Sequence, residues 1–334
     1  MTIEFTVFKG SEDGTIKQSK TSKPDLKDND VLVHVTASGL CGTDEHYRNT
    51  DMVLGHEGVG RVKAVGPTVQ DLKVGDRVGW GYEHSSCGRC QQCLRGSETY
   101  CPSRAMYGEA DFDQGSFASA AVWKEDFLFK IPDSLSDEAA APLMCGGATV
   151  FNALRVHDTQ PTDRVGIIGM GGLGHLAIQF AAKMGCDVVV FSGTDSKREE
   201  ALQLGAKEFY ATKGVKELKI RQPLDQLLVT TSAQPDWNQY LPVLAPGACI
   251  VPLSISAGDL SIPYMPILLN GLRIQGSIVA PRYTHRQMIA FAALHGIHPI
   301  IEKFPMTADG ITKAMHELDE GHVRYRAVLL PQGA

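Results

Sequence analysis

VGIIGMGGLG, residues 165–174, joins a continuous apolar strand to a glycine turn of the form GxGxxG, with Gly169, Gly171 and Gly174 in the glycine places and Gly172 and Leu173 between them. His175 to Met184 continues with amphipathic helical spacing, and a second apolar strand, Val188 to Phe191, follows. A lone GxGxxG is weak evidence. Between a strand and a helix, with another strand beyond, it predicts a dinucleotide-binding βαβ unit. The glycines let the backbone approach a pyrophosphate, which then sits at the positive end of the helix. Leu224 to Thr230, Cys249 to Leu253 and Leu272 to Val279 read as further strands, so the fold class is α/β with a right-handed doubly wound parallel sheet.

Upstream the texture changes. Val31 to Val35, Gly58 to Val65, Arg77 to Trp80 and Phe117 to Val122 are short alternating segments broken by Gly, Pro and Asp, and Gly75-Asp76 within KVGDRV is a local hairpin signal. This predicts a compact β domain with a partly closed barrel over residues 1–150 and a nucleotide domain over 151–283. Residues 284–334, with helices at His285 to His295 and Ala308 to Glu320 and strands at Ile300 to Glu302 and Ala327 to Leu330, are expected to pack back on the first domain.

At 334 residues with a net charge of −6 and no block of Lys or Arg, the chain offers no basic field for nucleic acid or an anionic membrane. No apolar run approaches the roughly 20 residues that span a bilayer. The first fourteen residues alternate polar and apolar side chains, which is not the pattern of a signal peptide. Six of the eight cysteines fall at places with metal-ligand logic, which favours a reducing compartment, most simply the cytoplasm; Cys186 and Cys249 read as buried small hydrophobes.

CGTDEHYRNTDMVLGHE, residues 41–57, gathers a soft thiolate, an imidazole and a carboxylate in Cys41, His56 and Glu57, a donor set suited to a zinc ion that does chemistry. Cys87, Cys90, Cys93 and Cys101 are spaced two, two and seven in a polar loop. Four thiolates with no open position suit a closed structural zinc. The iron–sulfur alternative suggested by Cys101-Pro102 wants three residues before the last cysteine, not seven.

Gly55-His56-Glu57, followed by Gly60, Gly66 and Val69, matches the zinc-containing alcohol dehydrogenase signature at every position. The chain thus resembles the zinc-dependent medium-chain dehydrogenase/reductase family over essentially its whole length, with features of the cinnamyl alcohol dehydrogenase branch. The resemblance implies a GroES-like catalytic domain with a structural zinc lobe at about 87–101. Cys145, alone a plausible core cysteine, stands in the CGGAT context (145–149) of the family's third catalytic zinc ligand. Thr43 resembles the hydroxyl that contacts the substrate oxygen, His46 the solvent-facing end of a proton relay, and Asp44 the carboxylate that orients the histidine ligand. Glu57 resembles the residue that approaches the metal during ligand exchange. Thr43 and Asp44 could equally shape a turn, and His46 could be an ordinary exposed histidine.

The end of the second nucleotide-domain strand speaks to the cofactor. An NAD enzyme usually carries Asp or Glu there, and here Ser192 occupies the acidic place, followed by Gly193, Thr194, Asp195, Ser196, Lys197 and Arg198. Hydroxyls and a lysine favour a 2′-phosphate and hence NADP(H), with Asp195 as the counter-argument. Thr149 joins the expected cofactor contacts, and Arg326, in VRYR (323–326), is expected by resemblance to approach the pyrophosphate. Only fourteen residues separate Cys41 from His56, a shortened loop beside the substrate entrance, so cinnamyl preference does not simply carry over. Trp80, Tyr82, Met106 and Tyr107 are either pocket or core.

The reading is an oxidoreductase with one catalytic and one structural zinc that moves hydride between NADP(H) and a small primary alcohol or aldehyde, aromatic and unsaturated ones among the candidates. The family suggests a homodimer or homotetramer formed through the nucleotide domain. A reductase of an activated C=C or C=N bond is the rival within enzymes; a non-catalytic NADP-binding sensor or structural protein is the rival outside them. Loss of Cys41, His56 or Thr43 would point to the latter, and none is lost.

Overall fold

The computed structural model describes residues 2–156, 158–256 and 258–332. The chain divides into two compact units, 1–148 with 279–334 and 149–278.

In the first unit the strand Asp30–Leu40 is central. Val31, Val33 and Val35 alternate into the core and are fully buried, the period-2 pattern of a strand with one wet face. It pairs antiparallel with Gly58–Val65, Ala120–Lys124 and Arg326–Leu330. The main sheet runs Ile301–Pro305, Arg326–Leu330, Asp30–Leu40, Gly58–Val65, Arg77–Trp80, Phe129–Lys130. Strand structure expected from Phe117 begins only at Ala120, because Phe117 spends its backbone on Phe8 and Leu54. Two residues from the chain's far end therefore meet the metal segment: Ala327 pairs with Leu40 and Val328 with Gly39, which brings Arg326 level with Cys41.

The returning helix Ala308–Asp319 is capped by Thr307, whose hydroxyl accepts from the Gly310 amide at 3.0 Å, a contact worth about 1 kcal/mol. Ile311, Ala314 and Met315, at helical spacing, bury its inner face. Between these elements, Glu83–Ser85 and Ala105–Met106 form a two-stranded sheet that brackets the four-cysteine segment.

The second unit is a six-stranded parallel sheet in the order Glu208–Ala211, Asp187–Ser192, Arg164–Ile168, Leu224–Val229, Leu244–Pro252, Arg273–Ile274. In chain order this is 3-2-1-4-5-6, a doubly wound dinucleotide-binding arrangement with its crevice at the carboxyl ends of the central strands. The last strand is shorter than the expected Leu272 to Val279. Only Arg273 and Ile274 pair, both exposed at the sheet edge. Cys186 and Cys249 are buried, and among the described residues no helix is long and apolar enough to cross a membrane.

Candidate zinc centres and nucleotide turn

Cys41 directly follows the central strand and caps the short helix Gly42–His46. Its amide donates to Asp44 Oδ2 at 2.9 Å, so the strand-to-helix turn itself points the Asp44 carboxylate inward. The other oxygen, Oδ1, accepts from the Gly55 amide at 3.2 Å and faces His56 Nδ1 at 3.0 Å. Asp44 and His56 are both 0 % exposed. The carboxylate thereby fixes the ring through Nδ1, and buried Nε2 has no partner among the described residues. A buried imidazole nitrogen left without a hydrogen bond is costly unless something else takes its lone pair.

Donor atoms of Cys41, His56, Glu57 and Cys145 all lie within 4.8 Å of one another. Cys145 sits at the break between the 3-10 turn Ala141–Met144 and the helix Gly146–Val156, the break that Pro142 and the glycine pair predict. Sharing a hydrogen bond with Cys145, and helped by His56, the Cys41 thiol is pushed well below its usual range despite burial. The same pairing pushes Cys145 up. Burial works against the His56 cation, but the Asp44 charge and hydrogen bond outweigh it and raise the pKa. Metal-free, the cluster therefore holds protons that an ion would displace. Two soft sulfurs and an imidazole converging in a buried site fit zinc.

Glu57, also 0 % exposed, is held by Arg326: Nη2 meets Oε2 at 2.5 Å and also contacts Oε1. Burial raises the Glu57 carboxyl to about 7 against the pull of that guanidinium. Arg326, expected near a pyrophosphate, is 5 % exposed and pairs with Glu57 within the first unit, a consequence of its register beside Cys41.

Thr43 is buried with its hydroxyl 3.7 Å from Cys41 Sγ, and His46, in the last turn of the short helix, is exposed. Trp80, Met106 and Tyr107 are buried at 0–1 % exposure, and Tyr82 is half-buried. The Tyr107 hydroxyl accepts from the Gly55 amide at 3.0 Å and so braces the segment that carries His56. Ser116 does the same at Glu57, accepting its amide at 3.2 Å. Neither residue lies in a motif, so spacing alone gives no sign of these contacts.

The sulfurs of Cys87, Cys90, Cys93 and Cys101 also cluster within 4.8 Å, with Cys90–Cys93 and Cys87–Cys101 each 3.5 Å apart. All four are free thiols. Backbone amides of Arg89 and Cys90 lower Cys87 to about 6, and the Ser103 amide donates to Cys101 Sγ at 3.3 Å. Amides aimed at sulfur favour thiolates, and four thiolates fit a closed tetrahedral ion.

In the second unit Gly169 has φ +94°, and a Cβ on Gly174 would lie 2.0 Å from the Gly169 carbonyl, so the turn closes tightly onto the start of the helix Gly174–Lys183. A Cβ on Gly171 would meet nothing within 4 Å, which leaves an open approach to the turn. Leu173 precedes that helix, Gly172 is half-buried beside it, and Thr149 is buried in the helix Gly146–Val156. Ser192 ends the second strand; Gly193 and Thr194 beyond it are exposed. Lys197 Nζ donates to the Met170 carbonyl at 2.8 Å, so its ammonium leans over the glycine turn. Asp195 is paired with Arg198 at 2.6 Å, which accounts for the one carboxylate in the run.

Residues 27–133 match the alcohol dehydrogenase GroES-like domain and residues 172–293 the zinc-binding dehydrogenase domain. The chain belongs to the zinc-type alcohol dehydrogenases. It is 36% identical over 327 residues to a probable formaldehyde dehydrogenase of Bacillus subtilis, covering 94% of this chain and 93% of that one. An NADP-dependent alcohol dehydrogenase C of Mycolicibacterium smegmatis is also 36% identical, with 90% of each chain covered. A cinnamyl alcohol dehydrogenase of Sorghum bicolor superposes with a TM-score of 0.91 at 32% identity, covering 98% of this chain and 97% of that one. This member of the zinc-type alcohol dehydrogenases is accordingly an oxidoreductase of the medium-chain dehydrogenase/reductase fold, a GroES-like domain with a Rossmann-type parallel sheet.

Proposed function

We propose that the protein is a zinc-dependent aldehyde reductase and alcohol dehydrogenase that moves hydride between NADP(H) and a primary alcohol or aldehyde. The observation that carries this is the convergence of half-buried Cys41 with buried His56 and Cys145, with His56 Nε2 lacking a hydrogen-bond partner among the described residues while Asp44 occupies Nδ1. Cys41, His56 and Cys145 would hold the catalytic ion with a fourth place open, and Cys87, Cys90, Cys93 and Cys101 a structural one. Glu57 stays in reserve on Arg326. When bound, zinc supplies electrophilic polarisation of the carbonyl oxygen and the nicotinamide supplies or accepts the hydride.

The chain's own residues do the rest. Thr43, beside Cys41, hands a proton to the oxygen that gains charge, and exposed His46 returns the proton deficit to solvent. Gly169 to Gly174 receive the pyrophosphate at the helix start. Ser192, Gly193, Thr194 and Lys197 suit a 2′-phosphate, with Asp195 facing Arg198 in an exposed ion pair. Free cysteines suit a reducing compartment such as the cytoplasm.

A second copy of this chain is the expected partner. The helix Tyr264–Asn270 has no buried residue and, with Ile274 of the edge strand, exposes Tyr264, Leu268 and Leu269. An unpaired edge beside an apolar helix suits continuation of the sheet across a twofold axis. Light scattering tests the dimer, and Leu269→Glu should yield monomer.

The reaction is tested by following NADPH oxidation against aliphatic, benzylic and cinnamyl aldehydes. Turnover that a zinc chelator abolishes supports the reading. Cys41→Ala should lose turnover while NADPH binding persists, and full activity in that variant would remove the catalytic-zinc assignment.

A further inference from the structure

Three tyrosines crowd one flank of the Cys41–His56–Cys145 donor set. Tyr82 meets the His56 ring edge-on at 5.3 Å and 88°, and Tyr107 lies against the same ring at 4.6 Å. Tyr47, immediately beyond the helix Gly42–His46, meets Tyr107 edge-on at 5.3 Å and 85°. Tyr107 is wholly buried, whereas Tyr47 and Tyr82 are half-buried and so form the part of this flank that solvent reaches.

Both rings rest on neighbouring groups. A Cβ on Gly108 would fall 2.1 Å from Cζ and the hydroxyl of Tyr47, so the ring rests directly on the Gly108 backbone. The chain following Tyr47 is tied down as well: the Thr50 amide donates to the Tyr47 carbonyl at 3.0 Å, and Arg48 Nε donates to the Gly14 carbonyl at 2.7 Å. Tyr82 is held by its edge contacts with His56 and, at 5.9 Å, with Tyr107. The two half-buried tyrosines therefore occupy space beside the donor set.

We propose that Tyr47 and Tyr82 determine substrate specificity by narrowing the approach to Cys41, His56 and Cys145, so that short unbranched aliphatic aldehydes enter in preference to those with an aryl ring on the carbonyl carbon. The inference rests on the aldehyde-reductase reading above and narrows its substrate class. Tyr47 lies in the segment that joins two of those donors, Cys41 and His56.

The test is the ratio of kcat/KM for benzaldehyde to that for butanal, measured with NADPH on the zinc-loaded full chain. Wild type should favour butanal. Tyr47→Ala should raise the ratio by about tenfold or more, the size of effect that shape exclusion in a pocket gives. Tyr47→Phe keeps the ring and should keep the wild-type ratio. Tyr82→Leu retains apolar contact with His56, removes the hydroxyl end and should shift the ratio the same way as Tyr47→Ala, which covers the case that the alanine variant does not fold. A wild-type preference for benzaldehyde, or an unchanged ratio in zinc-loaded variants that still reduce butanal, overturns the specificity role alone. Absence of turnover on every aldehyde by zinc- and NADPH-bound wild type overturns the aldehyde-reductase reading, and the selectivity with it.

Discussion

Asp44 Oδ1 lies 3.0 Å from His56 Nδ1 with both side chains wholly buried, and the same carboxylate accepts the amides of Cys41 and Gly55. One side chain thus links the orientation of two proposed zinc ligands. Carboxylates behind metal-bound histidines raise ligand basicity and fix the tautomer.

Asp44→Asn keeps the shape and removes the charge. Zinc affinity at the catalytic site should fall by roughly 10- to 100-fold, read by chelator competition, while the four-cysteine site keeps its ion. Equal loss from both sites would mean that the substitution acts through folding and not through His56.

Arg326→Met leaves the Glu57 carboxylate without its guanidinium in a fully buried place. Removing one partner of a buried ion pair typically costs about 3–5 kcal/mol, whereas replacing both can be nearly neutral. The single variant should therefore melt well below wild type, and Glu57→Gln with Arg326→Met should recover most of the loss. A double variant no more stable than the single one would show that the ion pair is not the source of the effect.

Much of this site was legible because its residues are named by spacing: Cys41, Gly55-His56-Glu57 and the cysteine run are local patterns with chemical meaning. The doubly wound sheet was legible for the same reason, since the strand, glycine turn and helix at 165–184 are contiguous. Arg326 was not. Its neighbour is set by the register of Ala327 opposite Leu40, a pairing across most of the chain that no local pattern encodes. Tyr47 escaped likewise, because an aromatic residue reads the same whether it fills a core or walls a site, and only three-dimensional placement separates buried Trp80 from half-buried Tyr82.

Glu83 and His285 line one small cavity of the first unit, and neither Glu83 Oε1 nor His285 Nε2 has a hydrogen-bond partner among the described residues. Burial, then the charge of Glu98, raises Glu83 to about 8, while burial lowers His285 to about 3. Between pH about 4.5 and 8 the unfolded chain has lost the Glu83 proton that the folded chain keeps, so this group makes stability fall as pH rises. Between about 3 and 6.5 the unfolded chain binds a His285 proton that the folded chain refuses, so that group makes stability rise with pH. Glu83→Gln should flatten the decline in melting temperature between pH 6.5 and 8, where His285 no longer contributes. An unaltered decline in the variant would exclude Glu83 as its cause.

Ser192 ends the second strand where a carboxylate would hold a ribose hydroxyl, and the nearby Asp195 is engaged by Arg198. Ser192→Asp introduces a negative charge where a 2′-phosphate would sit, and supplies an acceptor for a 2′-hydroxyl. NADPH binding should weaken by about 100-fold or more and NADH binding should improve, measured by fluorescence titration of the coenzymes without substrate. Lys197→Ala should weaken NADPH more than NADH, because only the phosphorylated ribose brings a charge for that ammonium to meet. If both substitutions affected the two coenzymes equally, the 2′-position would lie elsewhere, and Asp195, released from Arg198, would become the residue to replace next.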